Sequence, residues 1–164
     1  MALELLALSP EDVVYDVGCG DGRFIVEAAK RTGCRCVGVE ITEERAAAAR
    51  QRAREAGVAH LVVVRCENAL ETSLDDATAA YLYLVPRGLR LVEKRLPRPI
   101  RVVSYMSPLQ GFSHRHRRCV SPSHQPGAKW PLYSYYLTDD DHRDHRREEK
   151  SPEEDDDGKE TQQT

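Results

Sequence analysis

The chain has 164 residues, of which 40% are hydrophobic and 31% are charged, and its formal net charge is -3. That length supplies one domain of ordinary size and not two. No apolar run approaches the roughly 20 residues that cross a bilayer. The opening MALELLAL lacks the basic start of a secretion signal and the Arg and Ser richness of a transit peptide. It predicts instead a small amphipathic helix that ends at Ser9 and Pro10, in a soluble intracellular protein.

Charge and cysteine content set further limits. Residues 139–164 hold twelve acidic against five basic residues, which leaves 15 acidic and 19 basic residues in 1–138. The sequence therefore predicts a folded domain over 1–138 and a disordered acidic tail over 139–164, which solubilises the protein or, as the sharper alternative, masks its basic body.

The five cysteines include no CxxC pair, and Cys34 and Cys36 are too close to bridge comfortably. We expect free thiols and no metal site.

The first strong pattern is residues 13–23, VVYDVGCGDGR. A short apolar run with β-branched residues predicts a buried strand, and three alternating glycines end it. The apolar positions that follow recur at the spacing of one helical face. Such a glycine loop lets a ligand approach the main chain at a helix N-terminus, which favours a nucleotide-like ligand. Arg23 stands where the dinucleotide fingerprint has its third glycine, and neither GKS nor GKT occurs in the chain.

Strands and helices alternate after this loop. Apolar strands are predicted over residues 36–40, 58–65, 77–85 and 100–105, with helices over 43–56 and from Pro86 onward. This alternation predicts an α/β fold whose mainly parallel sheet has helices on both faces and binds its ligand at the carboxyl ends of the strands. Glu40 ends the second strand about 20 residues after the loop, where a carboxylate accepts the hydroxyls of a ribose. Ile41 is suited to packing on an adenine ring.

The acidic residue followed by GxGxG resembles motif I of the class I S-adenosylmethionine-dependent methyltransferases, a Rossmann-like family. The residues that carry this resemblance are Asp16, Gly18, Cys19, Gly20, Asp21 and Gly22. It implies that the loop wraps the methionine end of S-adenosylmethionine and that Asp16 supports the loop and the amino group of the cofactor. The family also has an acidic residue after the third strand that accepts a hydrogen bond from the adenine. The aligned residue here is Asn68, whose amide oxygen accepts the same bond.

Residues 77–109 resemble one branch of this family, the mitochondrial and bacterial protein-lysine methyltransferases that include the enzyme for the ATP synthase c subunit. Trp130 and residues 133–137 match the closing, antiparallel strand of that branch, so the resemblance covers about residues 5–138. It implies a protein substrate that is methylated on lysine. It also implies that Pro86 and the carbonyls of Leu84 and Val85 lie beside the sulfonium, and that Tyr83 lines the acceptor slot.

Other functions stay open at this point. A small-molecule or RNA methyltransferase on the same scaffold is one alternative, although weak positive charge and the lack of an aromatic stacking strip outside the strands disfavour nucleic acid. A cofactor-binding partner without catalysis is another, because the relatives carry a segment before the first helix that this sequence does not show. His114 and His116 lie in SHRHRR, for which we expect a solvated basic loop or a contact to phosphate, and no metal. We expect a monomer in the cytoplasm, with mitochondria as the alternative location.

Overall fold

The computed structural model describes residues 1–121 and 125–141. Most of these residues belong to four helices and seven strands, numbered here in chain order. The elements are α1 Ala2–Leu6, β1 Val13–Val17, α2 Arg23–Thr32, β2 Arg35–Glu40, α3 Glu43–Glu55, β3 Val62–Cys66, β4 Ala79–Leu82, α4 Pro86–Glu93, β5 Ile100–Tyr105, β6 His116–Val120 and β7 Trp130–Leu137.

All seven strands form one sheet in the order β3-β2-β1-β4-β5-β7-β6. The neighbours from β3 to β5 pair in parallel, whereas β7 pairs antiparallel with both β5 and β6. The predicted α/β class and the C-terminal antiparallel strand are thus confirmed. The chain winds outward from β1 in both directions, so the topological switch point lies between the carboxyl ends of β1 and β4.

The central strand β1 is buried along its whole length, as its continuous apolar pattern predicts. Its side chains alternate between two apolar clusters, one on each face of the sheet. Tyr15 and Val17 pack in the cluster that includes α4, and Val14 packs in the cluster that includes α2 and α3. Because both faces are covered by helices, the ligand-accessible part of the sheet is restricted to its edges and strand ends.

Two predicted strands are shorter in the structure. Residue 58 does not start β3: it packs under the end of α3, where the Val58 N–H donates to the Ala53 carbonyl at 3.0 Å, and β3 begins at Val62. The prediction of a strand over residues 77–85 is also too long, since β4 ends at Leu82. Tyr83 therefore lies just beyond the strand, on the approach to α4.

The basic sequence SHRHRR is not the loop that we expected. Its last residues begin β6, an edge strand whose Arg118 pairs with Leu132 of β7. This strand was not predicted because four of its five residues are exposed, so its sequence shows no alternation of apolar and polar residues.

The amino-terminal helix is shorter than predicted and is tied to the end of the sheet opposite the switch point. The Arg101 guanidinium donates to the carbonyls of Leu6 and Ala7, at 2.9 and 2.7 Å, and pairs with Asp12. Among the described residues, no helix combines the length and apolarity needed to cross a bilayer. Of the predicted acidic tail over 139–164, residues 142–164 lie outside the described residues.

Candidate active site

The glycine loop between β1 and α2 is fastened to the neighbouring strand by its main chain. The N–H groups of Gly18 and Cys19 both donate to the carbonyl of Val39 in β2, at 2.8 and 3.0 Å, and the Gly22 N–H donates to the Cys19 carbonyl at 2.9 Å. Gly18, Gly20 and Gly22 have φ values of 85°, 55° and 77°. Residues with a Cβ rarely adopt these values, so the sequence alternates glycine through the turn.

Close packing requires glycine at two positions, Gly22 in the loop and Gly38 in β2. A Cβ on Gly22 would lie 2.8 Å from the Cβ of Ala49 in α3, whereas a Cβ on Gly20 would meet nothing within 4 Å. Gly38 in β2 leaves room for the loop side chain above it, because a Cβ there would lie 2.7 Å from the Cys19 Sγ. The loop thus packs closely on α3 and β2 and opens toward solvent at Gly20.

Glu40 is brought to the loop, as the sequence predicted from its place at the end of β2. Its side chain is 6% exposed. Oε2 accepts the Gly20 N–H at 3.0 Å, and Oε1 accepts the Thr42 N–H at 3.0 Å. The carboxylate therefore holds the open end of the glycine loop. Its contact with a ribose stays a prediction.

Asp16, at the end of β1, is a buried carboxyl that is 2% exposed. No hydrogen bond to its side chain is found within residues 1–121 and 125–141. Burial, together with the negative charge of Glu40, raises the pKa of Asp16 to about 8. A buried carboxyl with this much unused hydrogen-bonding capacity fits a cationic amino group as its partner.

A cavity of about 410 Å³ lies at the switch point and is bounded by Asp16 and the loop. Its volume is within the range of small-molecule sites. Phe24 and Tyr81 form part of the wall as stacked rings with centroids 4.1 Å apart. Arg23 and Arg45 also line the cavity, and neither was predicted from the sequence to be a site residue. Their position becomes apparent only when the starts of α2 and α3 meet in the fold.

Asp21 belongs to the same loop but is turned toward α3. Its carboxylate accepts hydrogen bonds from Arg23 Nε at 2.9 Å and from an Arg52 terminal nitrogen at 2.8 Å. The Arg52 Nε also donates to the Asp21 carbonyl at 2.9 Å. The Asp21 side chain therefore anchors the loop to α3. Asp21 also lines the cavity.

Five residues predicted for the site do not line this cavity, namely Gly22, Glu40, Ile41, Asn68 and Pro86. Ile41 is 70% exposed beyond β2. The Asn68 Oδ1 accepts the Leu70 N–H at 3.0 Å, so the amide oxygen expected for adenine is engaged in its own turn. Pro86 is exposed at the first position of α4. Of the two carbonyls predicted to lie beside the sulfonium, that of Val85 accepts the Leu89 N–H at 3.0 Å and is used by the helix.

Tyr83 lines the cavity and is 50% exposed. Its ring centroid is 4.9 Å from that of Tyr105 at the end of β5, which in turn is 5.6 Å from that of Trp130 at the start of β7. The aromatic row, defined as Tyr83, Tyr105 and Trp130, thus extends from the cavity along the carboxyl edge of the sheet. Sequence reasoning missed Tyr105, although a tyrosine that ends a parallel strand was a usable signal.

Comparisons with known proteins agree with this geometry. The family model described as the ANTKMT methyltransferase domain matches residues 16–116. The protein-lysine N-methyltransferase of Saccharolobus islandicus (strain REY15A) is 33% identical over 116 residues, which cover 68% of this chain and 72% of that protein.

Solved structures show the same fold with ligands of the expected kind. The RNA methyltransferase from Salinibacter ruber, in complex with S-adenosyl-L-homocysteine, superposes with a TM-score of 0.74 at 32% identity, over 84% of this chain and 88% of that one. A geranyl diphosphate methyltransferase in complex with S-adenosylmethionine gives a TM-score of 0.56 at 30% identity, over 63% of this chain and 46% of that one. The chain belongs to the ANTKMT methyltransferase domain family, within the class I S-adenosylmethionine-dependent methyltransferases, and its expected cofactor is confirmed.

Proposed function

We propose that this methyltransferase acts on the side-chain amine of lysine in a protein substrate. The family match and the protein-lysine methyltransferase of Saccharolobus islandicus support this substrate class. The structural observation that carries the proposal is the aromatic row, which begins with Tyr83 in the cavity wall. Aromatic faces attract ammonium groups and also pack against an aliphatic stem, which are the two parts of a lysine side chain.

The residues of this chain fit the cofactor. When bound, S-adenosylmethionine supplies a methyl group that is already activated by the positive charge on its sulfur. We assign its amino group to Asp16, its amino-acid end to the main chain of Gly18 and Gly20, and its sugar to Glu40. The cavity beside the loop and the unpartnered buried carboxyl of Asp16 support this assignment.

The acceptor side must hold the amine and allow it to lose a proton. Tyr83 and the Leu84 carbonyl are proposed to accept hydrogen bonds from the lysine nitrogen as it approaches past Pro86. Desolvation of the amine in the complex favours loss of its proton to solvent, because burial lowers the pKa of lysine. The reaction then needs alignment and little covalent help from the protein.

The proposal is tested by methyl transfer from radioactive cofactor to a cell lysate. We expect protease-sensitive label that amino-acid analysis recovers as methyllysine. Tyr83→Phe keeps the ring and should keep part of the activity, whereas Tyr83→Ala should reduce it about 10-fold or more, which is the scale for loss of a positioned group. Both variants should bind S-adenosylhomocysteine like the native chain.

RNA is the second candidate acceptor, favoured by one observation: the Salinibacter ruber structure is of an RNA methyltransferase and aligns over 84% of this chain. The same labelling separates the candidates. Nuclease-sensitive label would contradict the lysine proposal, and label that passes a small-pore filter would indicate a small-molecule acceptor. Binding of the cofactor without any transfer would indicate a non-catalytic partner protein.

A further inference from the structure

The edge strand β6 carries a concentration of positive charge. Arg117 and Arg118 are exposed on it, and Arg115 is exposed just before it. The guanidinium carbon of Arg117 lies 5.8 Å from the centroid of the Tyr133 ring, and that of Arg115 lies 4.9 Å from the centroid of the Tyr136 ring. Within the described ranges, no carboxylate lies within 4.0 Å of these three arginines. The β6 arginines, defined as Arg115, Arg117 and Arg118, are therefore exposed without a carboxylate partner in this part of the structure, and Arg117 and Arg118 extend from opposite faces of the edge strand.

The described part of the chain ends close to this strand. β7 pairs Ser134 with His116, so its last residue, Leu137, is three residues, or about 10 Å, past the start of β6. A turn follows, in which the Thr138 N–H donates to the Asp141 carboxylate at 2.5 Å. The described chain thus ends beyond the His116 end of β6, where Asp139 and Asp141 act on the charge of Arg98 just before β5.

The sequence that follows has the opposite charge. Residues 148–157, EEKSPEEDDD, contain seven acidic residues and one basic residue and are called here the acidic segment. The six residues 142–147 that precede it span up to about 20 Å when extended. Strand β6 is about 14 Å long, so its far end lies about 24 Å from Leu137, a distance that the linker spans together with the first residues of the acidic segment.

We propose that the acidic segment docks on the β6 arginines, so that the chain covers its own basic edge strand. Attachment through a short linker gives an effective concentration of about 1 mM, which favours the chain's own segment over a dilute acidic partner. Exposed arginine–carboxylate pairs are individually weak and are screened by salt. The contact is therefore reversible, and an added polyanion competes with it.

Two exposed thiols provide the test in the full chain. Cys119 lies on β6, whereas Cys66 lies on β3 at the opposite edge of the same sheet, and the other three cysteines are buried. The rate of alkylation by iodoacetamide is measured for each thiol by peptide mass spectrometry. We expect the Cys119 rate to rise about threefold when NaCl is raised from about 20 mM to about 0.5 M, while the Cys66 rate stays constant.

A pair of variants with equal net charge identifies the docking segment. The first neutralises residues 153–157 by Glu→Gln and Asp→Asn. The second neutralises five exposed glutamates of the folded domain, namely Glu4, Glu11, Glu27, Glu44 and Glu55, by Glu→Gln. At low salt only the first should alkylate Cys119 at the fast rate. Equal Cys119 rates in the native chain and the first variant would overturn the proposal.

A labelled single-stranded oligouridine tests the alternative occupant. We expect it to bind the first variant at least about fivefold more tightly than the native chain, since the β6 arginines are then uncovered. Replacement of these arginines by glutamine should remove the difference. Equal affinity for the native chain and the first variant would overturn the proposal and assign the surface to nucleic acid.

Discussion

Replacement of Glu40 by glutamine tests how the glycine loop is held. Both carboxylate oxygens accept a main-chain N–H, one from Gly20 and one from Thr42, each at 3.0 Å. Glutamine has one such oxygen, so its amide NH₂ group must face the second N–H. A hydrogen bond to a charged group contributes about 1.5–3 kcal/mol, and a buried donor left without an acceptor costs a similar amount. We therefore expect Glu40→Gln to lower the free energy of unfolding by about 2–3 kcal/mol.

The same change should weaken cofactor binding, because the loop loses its fixed shape and, under the proposed assignment of Glu40, the sugar loses an acceptor. We expect S-adenosylhomocysteine to bind about 30-fold more weakly, measured by titration calorimetry, with stability measured by urea unfolding. Glu67→Gln is the matched control. Glu67 accepts a hydroxyl hydrogen bond from Thr72, which a single amide oxygen can also accept, and its ion pair with Arg65 at 3.9 Å is exposed and contributes at most about 1 kcal/mol. Native-like binding and stability of Glu40→Gln would refute this account of the loop.

Three further predictions concern the same loop and use the same two assays. Gly22→Ala should destabilise the protein by about 2 kcal/mol more than Gly57→Ala, since both positions have positive φ but only the first meets Ala49 at 2.8 Å. Equal losses would contradict the contact. Gly20→Ala should cost no more stability than Gly57→Ala yet weaken S-adenosylhomocysteine binding about 10-fold, because its Cβ enters the open mouth of the loop. Asp16, with a pKa of about 8 when folded against about 3.9 when unfolded, keeps an extra proton in the native state between these values. Stability should therefore fall as pH rises from about 4 to 8, by up to about 1.4 kcal/mol per pH unit, and Asp16→Asn should flatten this dependence.

Local sequence patterns predicted the parts of the fold that form between residues close together in the sequence. The run that contains Asp16 is buried on both sides, and the glycines after it have positive φ, so strand, turn and helix follow from residue type alone. The alternation of strands and helices then limits the topology to a parallel sheet. β6 was not predicted because most of its residues are exposed, so its sequence shows no alternation of apolar and polar side chains. Its pairing with β7 also forms only when the chain returns antiparallel.

The features of the candidate site also divide into those that the local sequence predicts and those that appear only in the folded structure. Glu40 was found because a strand end is a position that sequence can mark, but its two main-chain partners depend on the exact turn of the loop. The engagement of the Asn68 amide in its own turn is equally a matter of local geometry. Tyr105 and Trp130 come from distant parts of the chain and meet only when β7 returns beside β5.

A thiol in a cofactor loop would ordinarily be an oxidation hazard, and the missing side chain of Gly38 removes that hazard here. The space above Gly38 receives the Cys19 Sγ, which leaves this cysteine 7% exposed. Burial, and then the charges of Asp16 and Glu40, raise the pKa of the thiol to about 12. Peroxides attack the thiolate form, which is scarce at neutral pH under these conditions. Burial and a protonated thiol therefore protect Cys19, and with it the loop, from oxidation.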